Sequence, residues 1–348
     1  MRYFLNENVF EAAIKRIEYI FDEFENIIVS FSGGKDSTVV LNLALMVAEK
    51  RGRLPLKVCF LDQEAEWQNV IDYIRVVMQD QRIDPMWFQM PIRLSNSTSS
   101  ATPWLYCWEE GKKWMREKEP NSRKENIYGT PSFIDLFPLI IDHEFGGQKA
   151  CDLTGIRAEE SPKRMKGLST YATYKHITWG KKGNVEKGHY SFHPIYDWSY
   201  TDVWTAIHKF KWPYCKVYDY QWQYGVSVNN MRVSNLHHET ALAVLFYLQE
   251  IEPDTWNKLV ERLPGIAAAG QLKKDSFTIP KQLPYMFADW REYRDHLLKH
   301  LIQEDASRNK FTIKFAKMGL CCMNPVRSLI SPIPFRPHAT FTDLGAAI

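Results

Sequence analysis

From Asn26 to Pro91 the sequence alternates two kinds of apolar spacing. Unbroken apolar runs at Ile27–Phe31, Leu56–Leu61 and Met86–Pro91 have the length of strands buried on both faces. Between them apolar residues recur every third or fourth position. Val39, Val40, Leu43, Met46 and Val47 give one helix, which ends near Arg51-Gly52. Residues 66–81 give a second helix. Before the first strand, residues 8–25 form an amphipathic helix with Val9, Ala12, Ala13, Ile17, Ile20 and Phe21 on one face. Alternation of this kind predicts an α/β fold with a doubly wound, mostly parallel sheet. The sheet resumes at residues 152–156.

Residues 92–135 break the pattern. This stretch is polar, then charged and aromatic, with six basic and five acidic residues between Trp104 and Pro131. We read it as an insertion or lid over the site. Lys181-Lys182-Gly183-Asn184 has the composition of a hairpin turn. From about residue 240 the spacing is mainly helical, clearest at Ala241–Leu248 and Trp256–Leu263, and the last 25 residues read as extended chain. The expected division is residues 1–235, a nucleotide-binding domain, and 236–348, a mainly helical C-terminal domain.

The first strand runs directly into Ser32-Gly33-Gly34-Lys35-Asp36-Ser37, and a helix follows at once. Strand, glycine turn and helix start make a phosphate-binding geometry. The glycines let backbone N–H groups approach an anion, and the helix adds its unpaired donors and positive dipole end. Lys35 brings charge, Ser32 and Ser37 bring hydroxyls, and Asp36 is placed to cap the helix or hold a cation. The loop lacks the spacing of the Walker type. A second dense segment, Thr154 to Arg164, follows a strand. Within it Arg157 and Arg164 are suited to bidentate contacts with phosphate or sulfate, and Glu160 to orienting one of them or binding a metal. A third, His193-Pro194-Ile195-Tyr196-Asp197-Trp198, leads to a helix start at Ser199 or Thr201.

In this order and spacing the three segments resemble the phosphoadenosine phosphosulfate (PAPS) reductase family, a branch of the PP-loop, adenine nucleotide α-hydrolase-like proteins. The resemblance covers roughly residues 25–235. It is nearest to the branch labelled phosphosulfate sulfotransferase, which carries an extra C-terminal domain. It implies that Ser32, Gly33, Gly34, Lys35, Asp36 and Ser37 bind a phosphate group, and that Asp62, which ends the second strand and is expected on the same rim as this loop, lies where the adenosine is recognised. Gly155, Arg157, Glu160, Ser161 and Arg164 would then face the phosphate or sulfate end. Lys35, Arg157 and Arg164 are the expected catalytic groups, with ATP or PAPS, and Mg2+, as ligands. The resemblance also implies a ParB- or sulfiredoxin-like protein partner.

The sequence departs from the family's reductases. Its cysteines are Cys59, Cys107, Cys151, Cys215, Cys321 and Cys322, with no C-x-x-C pair and none in the last residues. Val228–Ser234 stands where the family has G-C-x-x-C. No iron–sulfur cluster and no metal site are therefore expected, since a cluster takes a full set of thiolates. Adjacent His237 and His238 make a poor zinc pair. What remains is cleavage of ATP between its α and β phosphates to adenylate an acceptor or support sulfur transfer. The alternatives are PAPS reductase or sulfotransferase activity, and a nucleotide sensor acting through a protein or DNA.

Net charge is +3, too small for the whole chain to act as a polycation. Arg157–Lys187 is locally basic, eight Lys or Arg against three Glu. Lys273–Lys317 holds ten basic and six acidic residues among Trp290, Tyr293 and Phe311, a pattern for gripping nucleic acid or for a solvated helical face. The N-terminus has no signal-peptide pattern, and no apolar run reaches the roughly 18 residues of a membrane span. A cytoplasmic, reduced protein is expected.

Overall fold

The structure, a computed structural model, describes residues 6–98, 104–169, 174–183, 188–228, 231–233, 235–238, 245–263, 265–267, 282–302 and 305–318. The chain divides into two compact units. The larger holds Met1–Leu94, Tyr106–Leu236 and Tyr247–Arg262. The smaller holds Ser95–Leu105, His237–Phe246 and Leu263–Ile348.

The larger unit is built on a six-stranded sheet. Its strands are β1 (Asn26–Ser30), β2 (Leu56–Leu61), β3 (Ile83–Phe88), β6 (Ala150–Leu153), β7 (Gly180–Lys182) and β8 (His189–Phe192). Two short strands, β4 (Ile92–Ser95) and β5 (Trp104–Cys107), lie outside it. The spatial order is β3-β2-β1-β6-β8-β7. All pairs are parallel except β7 with β8, the expected hairpin. Helices α1 (Val9–Glu23), α2 (Lys35–Lys50), α3 (Gln68–Met78) and α4 (Phe133–Phe145) flank this sheet. The unbroken apolar strands are explained by double-sided burial: Ile27, Ile28 and Val29 of β1 and Ala150, Cys151 and Leu153 of β6 are all buried.

The strand order creates the site. From β1 the chain moves outward through β2 to the edge strand β3, then returns past β1 to β6. The direction of winding reverses between β1 and β6. In open α/β sheets ligands bind beyond the carboxyl ends of the strands at such a reversal. The loops that leave there are residues 31–34 and 154–157.

Three expectations change. The third strand begins earlier than Met86, because all six residues of β2 pair with Ile83–Phe88. Pro85 is tolerated because β3 is an edge strand. Met46 faces outward at 39% exposure, while Leu43, Ala44 and Val47 carry the buried stripe of α2. Residues 92–135 are not irregular throughout. They contain β4 and β5 and run into α4, a helix with Pro138 inside it and left-handed Gly146 as its cap. Part of the stretch is pinned to the sheet: the Arg123 amide donates to Trp87 O, and Arg75 bonds Glu119.

Helices α5 (Pro162–Ser169), α6 (Tyr200–Phe210) and α7 (Val217–Gln223) follow β6, with β7 and β8 between the first two. From about residue 240 the described elements are helical, as expected: α8 (Leu245–Ile251), α9 (Pro253–Arg262), α10 (Trp290–Leu301) and α11 (Asp305–Met318); residues 241–244 of the expected 241–248 helix lie outside the described residues. The extended tail and Cys321-Cys322 lie outside the described residues. No helix among the described residues is long and apolar enough to cross a membrane.

Candidate functional site

The first loop has the expected shape. Gly33 sits at φ +70°, a left-handed conformation that disfavours any side chain, and an added Cβ would lie 3.0 Å from Val70 Cγ1. Gly34 is extended at φ −77° and starts α2 without a side-chain cap. The loop is tied by its serines: Ser37 Oγ donates to Gly34 O at 2.9 Å and lies 3.1 Å from Ser32 Oγ. Lys35 Nζ donates to Asp36 Oδ2 at 2.9 Å.

The second loop packs on the first. A Cβ on Gly155 would come within 2.7 Å of Asp36 C and Ser37 N, so only glycine lets the chain leaving β6 lie against the first turn of α2. Two residues on, the Arg157 guanidinium is buried at 4% exposure. Its Nε donates to Asp36 Oδ1 at 2.6 Å, and one terminal nitrogen donates to Glu159 Oε2 at 3.1 Å and Trp198 O at 3.3 Å. Asp36 is thus held between Lys35 and Arg157, with an oxygen given to each. Among the described residues no group of three or more His, Cys, Asp or Glu is placed to hold a metal ion.

Ser161 and Pro162 start α5 by sequence logic: Ser161 Oγ accepts the Arg164 amide at 3.2 Å, and Pro162 needs no donor. Glu160 orients the arginines, accepting from the Arg157 amide at 3.1 Å and from the Arg164 guanidinium. Arg164 is half exposed.

The third segment is a brace. Arg16 of α1 grips Asp197 through two bonds, of 2.7 and 2.6 Å, and Pro194 O at 2.8 Å. Trp198 is buried, with its indole N–H on Val9 O at 3.0 Å. Its carbonyl receives Arg157. Ser199 caps α6 reciprocally with Asp202, and the Tyr200 amide donates to Glu159 Oε2 at 2.7 Å. His193 is buried, 2.5 Å from Thr154 Oγ1. Burial, then Lys181 and Arg164, press its pKa down to about 3. Burial, then Arg164 and Lys163, lower that of Lys181 as well. The side of the second loop facing α5 is therefore electropositive.

Sequence reasoning missed Tyr218. Its hydroxyl accepts the Lys35 amide at 3.1 Å, and its ring lies 5.6 Å from Lys35 Nζ. It is 183 residues away in the chain, and no local pattern marks it. Val233 also reaches the loop, at 3.6 Å from a Cβ built on Gly34.

The phosphoadenosine phosphosulfate reductase domain matches residues 26–224, and a domain of unknown function (DUF3440) matches residues 225–319. The first match spans more than half of the 348 residues. The chain belongs to the PAPS reductase family. Among curated proteins, "Uncharacterized protein YbdN" of Escherichia coli K12 is 28% identical over 327 residues, covering 88% of this chain and 79% of the relative. Similar solved structures include an FMN adenylyltransferase from Candida glabrata with FMN and an ATP analogue (15% identity, TM-score 0.39). That match covers 63% of this chain and 65% of the other. Another is a PAPS reductase from Candida auris in a phosphate complex (12%, 68% and 98% covered, TM-score 0.35).

Within this PAPS reductase domain, Asp62 sits below the expected rim. It is fully buried and its carboxylate is filled. Oδ2 accepts from Trp87 Nε1 at 3.0 Å and Gln89 Nε2 at 2.9 Å. Oδ1 takes the Glu64 amide at 2.9 Å and the Arg116 guanidinium. Its carboxylate has no acceptor position left for adenosine. Of the segment that stands in place of G-C-x-x-C, Val233 makes an apolar approach to the first loop. Cys59, Cys107, Cys151 and Cys215 are all buried, and burial raises every one of these thiols, Cys215 to about 12. None of these four is a thiolate at neutral pH. His237 lies in a turn, not on a helix, with Nδ1 3.0 Å from Ser95 O. In the smaller unit Arg294 bonds Asp295 and Arg308 bonds Asp305, so part of the basic surface is neutralised within its own helices.

Proposed function

We propose that this protein binds ATP across the loops leaving β1 and β6 and cleaves it between the α and β phosphates. The β and γ phosphates would rest on Ser32–Ser37, over the start of α2. A nucleophile on an acceptor forms a bond to the α phosphorus, the bridging bond to the β phosphate breaks, and pyrophosphate leaves. Lys35 and Arg164 stabilise the charge that develops on the transferring and leaving groups. Arg157, turned onto Asp36, positions Asp36 and the start of α2. Asp62 supports the rim from beneath, so adenosine recognition falls to neighbouring backbone.

The observation that carries this reading is the seating of Gly155 on the Asp36 and Ser37 backbone at the winding reversal. It joins two anion-binding segments, distant in sequence, into one crevice. Loss of thiolate chemistry at the described cysteines argues for nucleotidyl transfer over sulfate reduction.

Gly34 offers a clean test. Its backbone conformation suits any residue, and a Cβ would meet only ordinary contacts of 3.4 and 3.6 Å. Gly34→Asp should fold normally yet place a carboxylate where phosphate belongs. Calorimetric titration should show ATP binding abolished in Gly34→Asp and at least tenfold weaker in Lys35→Ala. A folded Gly34→Asp protein with normal ATP affinity would contradict the proposal. A second reading, use of PAPS as sulfuryl donor, is favoured by the electropositive side formed by Lys163, Arg164 and Lys181. Titration with PAPS distinguishes it.

A further inference from the structure

Beside the Ser32–Ser37 loop, with Tyr218 touching both, lies a cavity of about 380 Å3 lined by ten of the described residues. Trp204, Tyr214, Tyr218 and Trp222 supply aromatic walls. The Trp204 ring stands nearly perpendicular to Tyr214 (centroids 5.3 Å, 82°) and to Tyr218 (5.2 Å, 83°). Among the described residues of the lining Asp219 is the only charged one, and none is lysine, arginine or histidine. Trp222 is 64% exposed, an unusual position for an indole.

Ring faces carry negative potential, and a box of perpendicular rings with a carboxylate attracts a cation. The same potential repels phosphate, sulfate and carboxylate, so the cavity is not an extension of the nucleotide seat. A neutral ring would fill the walls but gain nothing from the Asp219 carboxylate. The protein already places one cation nearby: Lys216 Nζ lies 5.0 Å from the Tyr214 centroid and 3.3 Å from Asp219 Oδ2, and its side chain is 63% exposed. The other Asp219 oxygen accepts the Tyr214 hydroxyl at 2.7 Å.

We infer that this cavity binds a small organic cation carrying a substituted ammonium group, with Trp204 and Trp222 against the cation and Asp219 as its counter-charge. Tyr218 is shared between this cavity and the loop, so the bound molecule stands next to Lys35. A hydroxyl on the same molecule would be the acceptor of nucleotidyl transfer, its oxygen bonding to the α phosphorus as it gives up its proton and pyrophosphate leaves; that role rests on the function proposed above, and the cation site itself does not.

The test uses the full chain without nucleotide. Choline and its uncharged isostere 3,3-dimethylbutan-1-ol are titrated by calorimetry and by tryptophan fluorescence. Choline should bind saturably, at least tenfold tighter than the isostere. Trp204→Ala should abolish binding, Trp204→Phe should retain most of it, and Asp219→Asn should weaken it about tenfold. ATP affinity, measured separately, should stay unchanged in Asp219→Asn. Equal binding of the isostere, no saturable binding, or choline binding that survives Trp204→Ala would overturn the inference. Choline binding in a protein that fails to bind ATP would leave the cation site standing and remove only its acceptor role.

Discussion

Gly155→Ala is the most informative single change, because it adds one methyl and nothing else. The new Cβ would lie 2.7 Å from Asp36 C and from Ser37 N, and 2.9 Å from Asp36 O. Ordinary contact begins at 3.4 Å, so the two loops must part by 3.4 − 2.7 = 0.7 Å. All three opposing atoms are backbone, within the first turn of a 16-residue helix, and cannot turn aside as a side-chain tip would. Overpacking of this kind costs about 1–3 kcal/mol. The functional cost is separate: a displacement approaching 1 Å between catalytic groups lowers rates about 100-fold. Urea unfolding should show the stability loss, and calorimetry should show ATP affinity reduced at least tenfold in the still-folded variant. Gly167→Ala is a stability contrast, since it lies in α5 and its Cβ would meet only the tip of Lys181, at 3.4 Å. It should gain up to about 1 kcal/mol from helix propensity. Wild-type stability and ATP affinity in Gly155→Ala would refute the packing of the two loops.

Arg157→Lys keeps the charge but loses the fork that reaches Asp36, Glu159 and Trp198 O together. Losing two of three bonds should cost about 2 kcal/mol in urea unfolding, with ATP binding weakened; an unchanged variant would remove Arg157 as the link. Asp152, buried in β6 and bonded to Ser191, has its carboxyl pushed up by burial to about 7. Between about pH 4 and 7 the folded protein holds a proton that the unfolded chain has lost. This contribution is full below pH 4 and is lost as pH rises through 7, at up to about 1.4 kcal/mol per unit. Asp152→Asn should therefore gain stability relative to wild type from pH 4.5 to 7.5. His193, pressed down to about 3, acts in the opposite sense, adding stability as pH rises toward 6.5. A difference between wild type and Asp152→Asn that does not change with pH would contradict the burial of a protonated carboxyl.

What the sequence made legible was local. Continuous apolar runs located the strands, and two glycines between a strand and a helix located the turn from β1 into α2. The cap at Ser199 was equally local; of the turn expected at residues 181–184, Lys181 and Lys182 belong to β7 and Asn184 lies outside the described residues. Strand order is not local, and it was the order that brought Gly155 against Asp36. Nothing in the spacing shows that Arg157 turns inward, because its partners Asp36 and Trp198 come from two other segments. Asp62 was expected on the rim because it ends β2, but buried partners from β3 and from Arg116 claim its carboxylate. Pro85 and Pro138 blurred the limits of β3 and α4, since an edge strand and a flanking helix tolerate proline that the local pattern reads as a stop. Tyr218 left no mark at all. A tyrosine on a short helix has no sequence signature of supporting a loop 183 residues away.

Cleavage between the α and β phosphates can be measured most directly by incubating the purified full chain with ATP and Mg2+, and separately with PAPS, and separating the products by chromatography. ATP binding with AMP, free or joined to an acceptor, and an equal amount of pyrophosphate is the predicted result, absent in Lys35→Ala. ADP with inorganic phosphate, or binding of PAPS alone with no AMP formed from ATP, would contradict it.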